Sequence, residues 1–256
     1  MNSGLIGYTG LIGSNIFHKK IFSKLYNSKN ISEIKNENFD LLIFADLSAK
    51  KYLVNKAPLE DRKNLDFFFR IFDHINIKKF VFISTIDVYP NLLNVNEETY
   101  INEKQLDYYG LHRFKFEKYV TEHFHDHHII RLPMLFGKGL KKNVLFDLMQ
   151  GQFLTKINPG STYQWYYLNN LWRDIECAIN NNIRLINMVS EPIKLSNIIK
   201  KFFPRLNIQE MEDNNDTKEI CMDIKTTHNY YYSNINGYIY NKKYILDKLK
   251  NFLDKY

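Results

Sequence analysis

Tyr109 and Arg113 lie one helical turn apart in the segment "YYGLHRF" (108–114). Residues four apart share one face of a helix, so the guanidinium can lie close to the phenol. A nearby cation favours the phenolate and lowers the pKa of a tyrosine from about 10. The pair therefore predicts one of two things: a site of proton transfer whose cation also holds a cofactor, or an ordinary pair on a helix surface.

A second group of residues with chemical potential is the glycine-rich segment "GYTGLIG". A dinucleotide pyrophosphate must approach the backbone closely, and Cβ atoms at the glycine positions would obstruct it. An apolar strand pattern precedes the segment and a helical pattern follows, which favours a dinucleotide-binding loop over a simple tight turn. The residues predicted to contact the cofactor here are Gly7, Tyr8, Thr9, Gly10, Leu11, Ile12 and Gly13.

The end of the second predicted strand indicates which dinucleotide is preferred. Folds that select NAD carry an Asp or Glu there, about 20 residues beyond the first glycine. This chain has Asn27, Ser28 and Lys29 instead. Asn27 and Ser28 can donate hydrogen bonds to a 2′-phosphate and Lys29 can offset its charge, so NADP is favoured and NAD stays possible. The alternative is a polar surface turn, in which Asn and Ser are common.

These residues must be positioned by a particular order of elements. Apolar segments at 4–8, 24–27, 39–46, 79–85, 128–133 and 184–190 predict strands, and the intervening segments include helical patterns over 11–24, 59–75 and 107–124. Repeated β-α-β units predict an α/β fold, a Rossmann-type doubly wound parallel sheet with a small C-terminal lobe. We expect a dinucleotide-binding domain at 1–135 and a substrate lobe at 136–256, with the strand at 184–190 rejoining the main sheet.

Composition narrows the class of protein. The chain has 256 residues, a net charge of +7 and two distant cysteines, Cys177 and Cys221, which favour a cytoplasmic location over a disulfide-rich secreted one. No apolar run is long enough to span a bilayer, and no basic region precedes the apolar N-terminus, so neither a membrane partner nor a signal peptide is expected. The lysines are dispersed, which argues against nucleic acid as a partner.

Four segments resemble the extended short-chain dehydrogenase/reductase family, also called NAD-dependent epimerases/dehydratases. They are "GYTGLIG", "LLIFADLSA", "FVFISTIDVYP" and "YYGLHRFKFEKYV", and "RLPMLFG" is similar to the family's segment beside the nicotinamide. The likeness covers roughly residues 1–140 well. It implies a Ser or Thr, a Tyr and a Lys as the reacting group.

Carried onto this chain, the resemblance implies that Thr85 orients the substrate oxygen and that Tyr109 is the acid/base. Literal Tyr-x-x-x-Lys spacings occur at Tyr52, Tyr100 and Tyr244, but only Tyr109 opens the helix that follows the Thr85 strand. The position of the lysine is occupied by Arg113. Arginine can supply a field and hold ribose hydroxyls, but it cannot lose its proton under working conditions.

The remaining cofactor contacts are implied by the same resemblance. They are Ala45, Asp46, Leu47, Ser84, Arg113 and Pro133. The run "HFHDHH" (123–128) suggests a metal site at first sight. It falls at a connection between a helix and a strand, where its side chains diverge, so no metal is expected.

The expected activity is an NAD(P)-dependent oxidoreductase or epimerase. Its substrate would be a carbonyl or hydroxyl of a sugar or nucleotide sugar, and a homodimer is the family's common state. The alternative is a non-catalytic NAD(P)-binding sensor that keeps the fold. Tyr109 and Thr85 favour the enzyme, whereas Arg113 favours the sensor.

Overall fold

The computed structural model of the chain describes residues 1–48, 50–213, 217–232 and 236–255, with the backbone alone at 212 and 213. The strands are β1 (Ser3–Ile6), β2 (Lys24–Tyr26), β3 (Asn38–Phe39), β4 (Leu41–Phe44), β5 (Asn76–Ile77), β6 (Phe80–Thr85), β7 (Leu93–Val95), β8 (His127–Leu132), β9 (Met134–Phe136), β10 (Thr162–Tyr163), β11 (Trp165–Tyr167), β12 (Leu185–Asn187), β13 (Ile193–Lys194) and β14 (Asp223–Ile224). The α-helices are α1 (Leu11–Phe17), α2 (Lys51–Lys56), α3 (Pro58–Phe72), α4 (Tyr108–His123), α5 (Val144–Gln150), α6 (Leu171–Asn180), α7 (Leu195–Phe202), α8 (Ile208–Asp213) and α9 (Lys242–Leu253).

The chain divides into two compact units. The first consists of residues 1–91, 98–132 and 170–186, and the second of 92–97, 133–169 and 187–256. The main sheet has six strands in the order β12-β8-β6-β4-β1-β2, and the pairs from β2 to β8 are parallel. The parallel sheet with its helical connections confirms the predicted Rossmann-type α/β class. β12 lies at one edge of this sheet, beside β8.

An aromatic core fixes the helices of the first unit against the sheet. β4 and β6 are buried along their apolar lengths, as strands covered on both faces must be. The Phe44 ring stacks on Phe116 of α4 with centroids 5.0 Å apart and meets Phe68 of α3 edge-on at 4.6 Å. These contacts position α3 and α4 relative to the carboxyl ends of the strands, where the candidate site lies.

Two predicted boundaries are corrected by local geometry. The first strand ends at Ile6 rather than at residue 8, because Gly7 turns the chain with a φ of +88°. The first helix ends at Phe17 rather than at residue 24. Beyond the end of this helix the side chain of Ile21 is 92% exposed, whereas Phe22 is buried against Trp172.

The second unit is built from short strand pairs. β9 pairs with β11 and β7 with β14 in parallel, and β10 pairs with β13 antiparallel. The Glu97 carboxylate accepts hydrogen bonds from the hydroxyl of Thr226 at 2.6 Å and the backbone N–H of Thr227 at 3.0 Å.

Across the described part of the chain, no helix combines the length and apolar character needed to cross a membrane.

Candidate active site

The glycine loop joins β1 to α1, and its three glycines differ in how closely other atoms surround them. A Cβ on Gly7 would lie 2.6 Å from the carbonyl oxygen of Ala45, and one on Gly13 would lie 2.1 Å from the carbonyl oxygen of Gly7. Gly10 has an ordinary φ of −75°, and an added Cβ would meet nothing closer than 3.4 Å. Packing therefore requires glycine at positions 7 and 13, whereas at the exposed position 10 it does not.

The other loop residues line the same turn. Thr9 is exposed, and Tyr8, Leu11 and Ile12 are half-buried. The Tyr8 hydroxyl accepts a hydrogen bond from the Asn27 amide at 3.1 Å, which joins the loop to the end of β2. Two of the segments predicted to hold the cofactor are therefore in direct contact.

The turn after β2 is held by its own side chains. The Asn27 side-chain oxygen accepts from the backbone N–H of Lys29 at 2.8 Å, and the Asn30 side-chain oxygen accepts from the backbone N–H of Asn27 at 2.8 Å. Ser28 and Lys29 are exposed. Asn27 therefore shapes the turn, and Ser28 and Lys29 are the two of the three predicted residues whose side chains remain open to solvent.

The segment after β4 passes beside the glycine loop. The backbone N–H of Ala45 donates to the carbonyl of Ile6 at 3.0 Å, and Leu47 packs against the apolar core. Asp46 is half-buried, and burial raises the pKa of its carboxyl to about 6. A carboxyl with this pKa keeps its proton to a higher pH than an exposed carboxyl, and only its protonated form does not repel an anionic ligand.

At the end of β6, Ser84 and Thr85 enter different surroundings, because successive strand residues point to opposite faces. The Ser84 hydroxyl is buried and donates to Glu117 at 2.5 Å. The Thr85 hydroxyl donates to the Asp87 carboxylate at 3.0 Å and accepts from the Asp87 backbone N–H at 3.2 Å. Thr85 is therefore paired with Asp87 at the end of β6, whereas the Ser84 hydroxyl is engaged by Glu117, and the predicted contacts of both residues stay predictions.

The start of α4 is fixed against the segment that follows β6. Asp107 caps the helix by accepting from the backbone N–H of Gly110 at 2.8 Å, and the Asn55 side-chain oxygen accepts from the N–H of Tyr109 at 2.9 Å. A Cβ on Gly110 would lie only 2.3 Å from the carbonyl oxygen of Asp87. This close approach brings Tyr109 next to the end of β6.

Arg113 is buried in an ion pair. Its Nη1 donates to the Asp61 carboxylate of α3 at 2.8 Å, its Nη2 donates to the carbonyl of Ser48, and its side chain is 3% exposed. The guanidinium carbon lies 4.2 Å from the centroid of the Tyr109 ring. His112 Nδ1 lies 2.8 Å from the same Asp61 oxygen. Arg113 therefore lies over the tyrosine as expected, but a carboxylate already compensates its charge.

The expected fall in the pKa of Tyr109 is wrong in net direction. Burial raises the pKa of this phenol, and the charges around it act in both senses. Arg113 and Lys51 lower the pKa, whereas the carboxylates of Asp87 and Asp61 raise it. Each cation has an anionic partner, so the field of the arginine is too small to outweigh the cost of burying a phenolate.

Lys51 is a member of the site that sequence reasoning missed. Its Nζ lies 2.6 Å from the Asp87 carboxylate, 3.2 Å from the Asp107 carboxylate and 5.8 Å from the centroid of the Tyr109 ring. No motif marks this lysine, because it comes from a separate helix. Asp61 did leave a signal, since it occupies the same helical stripe as Leu65, Phe68 and Phe72, and a carboxylate in an apolar stripe indicates a buried partner.

A second buried ion pair joins α4 to β8. Glu117 of α4 accepts from Nη2 and Nε of Arg131 on β8 at 2.6 and 3.0 Å. Arg131 Nη1 also donates to the Tyr89 hydroxyl at 2.6 Å. Together with Ser84, these groups join β6, β8 and α4 in one polar network within the first unit.

Two further sequence predictions fall elsewhere. Pro133 stands at the first position of the second unit, between β8 and β9. In the run 123–128, His123 Nδ1 lies 2.9 Å from the Tyr119 carbonyl oxygen and His128 Nδ1 lies 2.6 Å from the Ile183 carbonyl oxygen. Among the residues described, no group of three His, Cys, Asp or Glu side chains could hold a metal ion.

Comparison with solved structures identifies the architecture. A UDP-N-acetylglucosamine 4-epimerase from Methanobrevibacter ruminantium, in complex with UDP-N-acetylmuramic acid, aligns with a TM-score of 0.69 and 14% identity over 99% of this chain and 97% of its own. An NAD-dependent NDP-hexosamine 5,6-dehydratase of tunicamycin biosynthesis aligns with a TM-score of 0.72 and 13% identity, over 99% and 97%. The chain has the fold of the extended short-chain dehydrogenases/reductases.

The same fold occurs in RMD from Pseudomonas aeruginosa, complexed with NADPH, with a TM-score of 0.68 and 13% identity over 99% of both chains. Comparison of the sequence with family models and with curated proteins gives no match. The likeness is therefore one of fold. At residue 113 the chain has an arginine where the resemblance implies a lysine. The Asp61 carboxylate compensates the buried charge of that arginine.

Proposed function

We propose that the first unit binds NADP(H), or alternatively NAD(H), and that the protein is an oxidoreductase or epimerase. The observation that carries this proposal is Gly10. Its backbone conformation is open to any residue, and a Cβ there would meet no atom of the protein closer than 3.4 Å. A glycine that the protein's own packing does not require is explained by the close approach of a ligand to the backbone.

The choice of NADP rests on the turn after β2. Ser28 and Lys29 are exposed, and the turn is joined to the glycine loop through Asn27 and Tyr8. A hydroxyl and an ammonium at this position suit a 2′-phosphate, and no carboxylate stands among residues 26–30 to repel it. Ala45 and Leu47 would lie along the adenosine side, and Asp46, when protonated, would not repel the pyrophosphate.

The bound dinucleotide would supply hydride transfer at the nicotinamide. Tyr109 would exchange a proton with the reacting oxygen of the substrate, and Thr85 would orient that oxygen once its hydroxyl turns from Asp87. Arg113 would act as a positioning residue rather than as a direct ligand of ribose. Its contacts with Asp61, the Ser48 carbonyl and the Tyr109 ring support this role, because they join the β4 loop to α4.

The proposed substrate is a carbonyl or hydroxyl of a sugar or nucleotide sugar. Support comes from the structures that share the fold, whose names include a nucleotide-sugar epimerase and an NDP-hexosamine dehydratase. The segment 163–170, where many sugar-nucleotide enzymes of the family carry an Arg-Asp pair, reads "YQWYYLNN" here. We therefore propose the sugar class and no particular nucleotide.

A non-catalytic dinucleotide sensor is the second candidate. It is favoured by the buried ion pair at residue 113, because the Asp61 carboxylate already compensates the charge of Arg113. In a sensor, Tyr109 and Thr85 would have no chemical task. The Tyr109→Phe variant separates the two, because it should abolish turnover of an enzyme yet leave dinucleotide affinity nearly intact.

The first experiment is a fluorescence titration of the purified protein with NADPH and, separately, with NADH. We expect saturable binding with NADPH preferred. Lys29→Ala should weaken NADPH binding about tenfold and leave NADH binding unchanged, since it removes one charge that faces the 2′-phosphate. Lys35→Ala, another exposed lysine nearby, is the matched control. If neither NADPH nor NADH bound, the proposed function would be refuted.

A further inference from the structure

Two cations flank Tyr109, and they differ in how tightly the protein already holds them. The Arg113 side chain is 3% exposed, paired with Asp61 and hydrogen-bonded to the Ser48 carbonyl. The Lys51 side chain is 46% exposed. It comes from α2 and is the more accessible of the two at this end of the sheet. Both cations lower the pKa of Tyr109, Arg113 more than Lys51, but only the Lys51 ammonium is on an exposed, flexible stem that can move as charge develops nearby.

We propose that Lys51 stabilises the phenolate of Tyr109 from α2, as a second cation beside Arg113. This inference rests on the proposed function, because it assigns Lys51 a role in the same proton transfer. Lys51 would therefore act through Tyr109, by the effect of its positive charge on the phenolate. It needs no contact with the substrate.

The geometry supports this assignment. The Lys51 Nζ lies 5.8 Å from the centroid of the Tyr109 ring and 2.6 Å from the Asp87 carboxylate, to which the Thr85 hydroxyl donates at 3.0 Å. Lys51 is thus linked to both residues proposed to handle the substrate oxygen. It also lies 3.2 Å from Asp107, the cap of α4. Although burial alone would lower it, the two carboxylates raise the pKa of Lys51, so the ammonium stays charged.

The charges facing Tyr109 come from four elements. Arg113 lies on its own helix, Asp61 on α3, Asp87 after β6 and Lys51 on α2. Arg113 and Asp61 form a pair whose side chains are at most 5% exposed, so its balance of charge is fixed. The Lys51 side chain is exposed, and its carboxylate partners are about one third exposed. The lysine can therefore shift toward a phenolate while water solvates the carboxylates that it leaves.

Lys51 would act in the proton transfer that accompanies reduction of the substrate carbonyl. A bound reduced dinucleotide would supply hydride to the carbonyl carbon and be oxidised in turn. Tyr109 gives its hydroxyl proton to the substrate oxygen and becomes a phenolate. The positive charge of Lys51 lowers the energy of that phenolate, which then regains a proton from solvent.

The test measures the titration of Tyr109 directly and needs no substrate. The full chain is labelled with a fluorinated tyrosine, whose phenol titrates at lower pH, and followed by 19F NMR. The Tyr109 signal is assigned by its loss in Tyr109→Phe. Lys51→Met should raise the titration midpoint by about one pH unit, since it removes a cation near the ring, and Lys51→Arg should restore it.

Lys50→Met is the matched control, because Lys50 is exposed and adjacent but has no part in the site. An unchanged midpoint in Lys51→Met, or an equal shift in Lys50→Met, would overturn the proposal. Lys51→Gln repeats the test should the methionine variant not fold. NADPH titration of the same proteins distinguishes failure of the two proposals. If the wild type does not bind NADPH, the proposed function is refuted. The change in the titration midpoint of Tyr109, measured by NMR, tests the role of Lys51.

Discussion

Asp61 and Arg113, 52 residues apart in the chain, form a buried ion pair with 2.8 Å between the carboxylate and Nη1. The pair joins α3 to α4 directly beneath the Tyr109 ring. Arg113 is therefore neither an exposed helix residue nor a free cation in an open site. Its carboxylate partner explains how an arginine, which is always charged, is tolerated inside the protein.

The first prediction concerns this pair. Asp61→Asn leaves the Arg113 charge buried without compensation, so we expect the free energy of unfolding to fall by about 3 kcal/mol. Asp66→Asn on the same helix removes an exposed partner of Arg62 and should cost less than about 0.5 kcal/mol. Urea denaturation of both variants provides the measurement. Equal losses would show that the buried pair contributes no more than a surface pair.

The second prediction concerns Glu117 and Arg131, which are bonded in the interior of the first unit. Glu117→Gln and Arg131→Met should each cost about 3 kcal/mol, because each leaves one buried charge unpaired. The double variant removes both charges and should cost clearly less than the sum of the single losses. A double-mutant cycle in urea measures this coupling. Additive losses would contradict it.

The third prediction separates the roles of two glycines in the loop after β1. Gly13→Ala should lower both stability, by about 2 kcal/mol or more, and NADPH affinity, because its Cβ would lie 2.1 Å from the Gly7 carbonyl oxygen. Gly10→Ala should leave stability within about 0.5 kcal/mol yet weaken NADPH binding, since that Cβ would meet no atom of the protein closer than 3.4 Å. Thermal unfolding and NADPH titration are measured on both. Unchanged NADPH affinity in Gly10→Ala would show that the dinucleotide does not approach the backbone of this loop.

The fourth prediction follows from the pKa of Asp46, which burial raises to about 6. An unfolded chain releases this proton near pH 4, so between about pH 4 and 6 the folded state binds more protons, and stability falls as the pH rises. Asp46→Asn removes this dependence. The stability of the variant relative to the wild type should increase by about 1 kcal/mol from pH 4 to pH 7, a value reduced for the partial exposure of Asp46.

The measurement is the unfolding temperature of both proteins across this pH range. Asp66→Asn, at an exposed position, is the control for the loss of a carboxylate. A stability difference between Asp46→Asn and the wild type that stayed constant with pH would contradict the raised pKa of Asp46.

The sequence by itself determined the fold and part of the site. The apolar strands, the helical periodicity and the glycine spacing predicted a Rossmann-type sheet with Gly7, Gly10 and Gly13 at its first turn, and the fold is confirmed. These features are local, since a strand, a turn and a helix are each specified by consecutive residues. The order of elements along the chain also placed Tyr109 at the start of the helix that follows β6.

Only the tertiary structure decided which charges surround Tyr109. Asp61 and Lys51 reach the site from two different helices, and no spacing in the sequence relates them to residue 109. In the structure Ser84 lies in a buried network with Glu117, whereas its neighbour Thr85 bonds to Asp87. Electrostatic surroundings depend on distances across the fold and on the loss of water around each group, and these arise only when separate elements pack together.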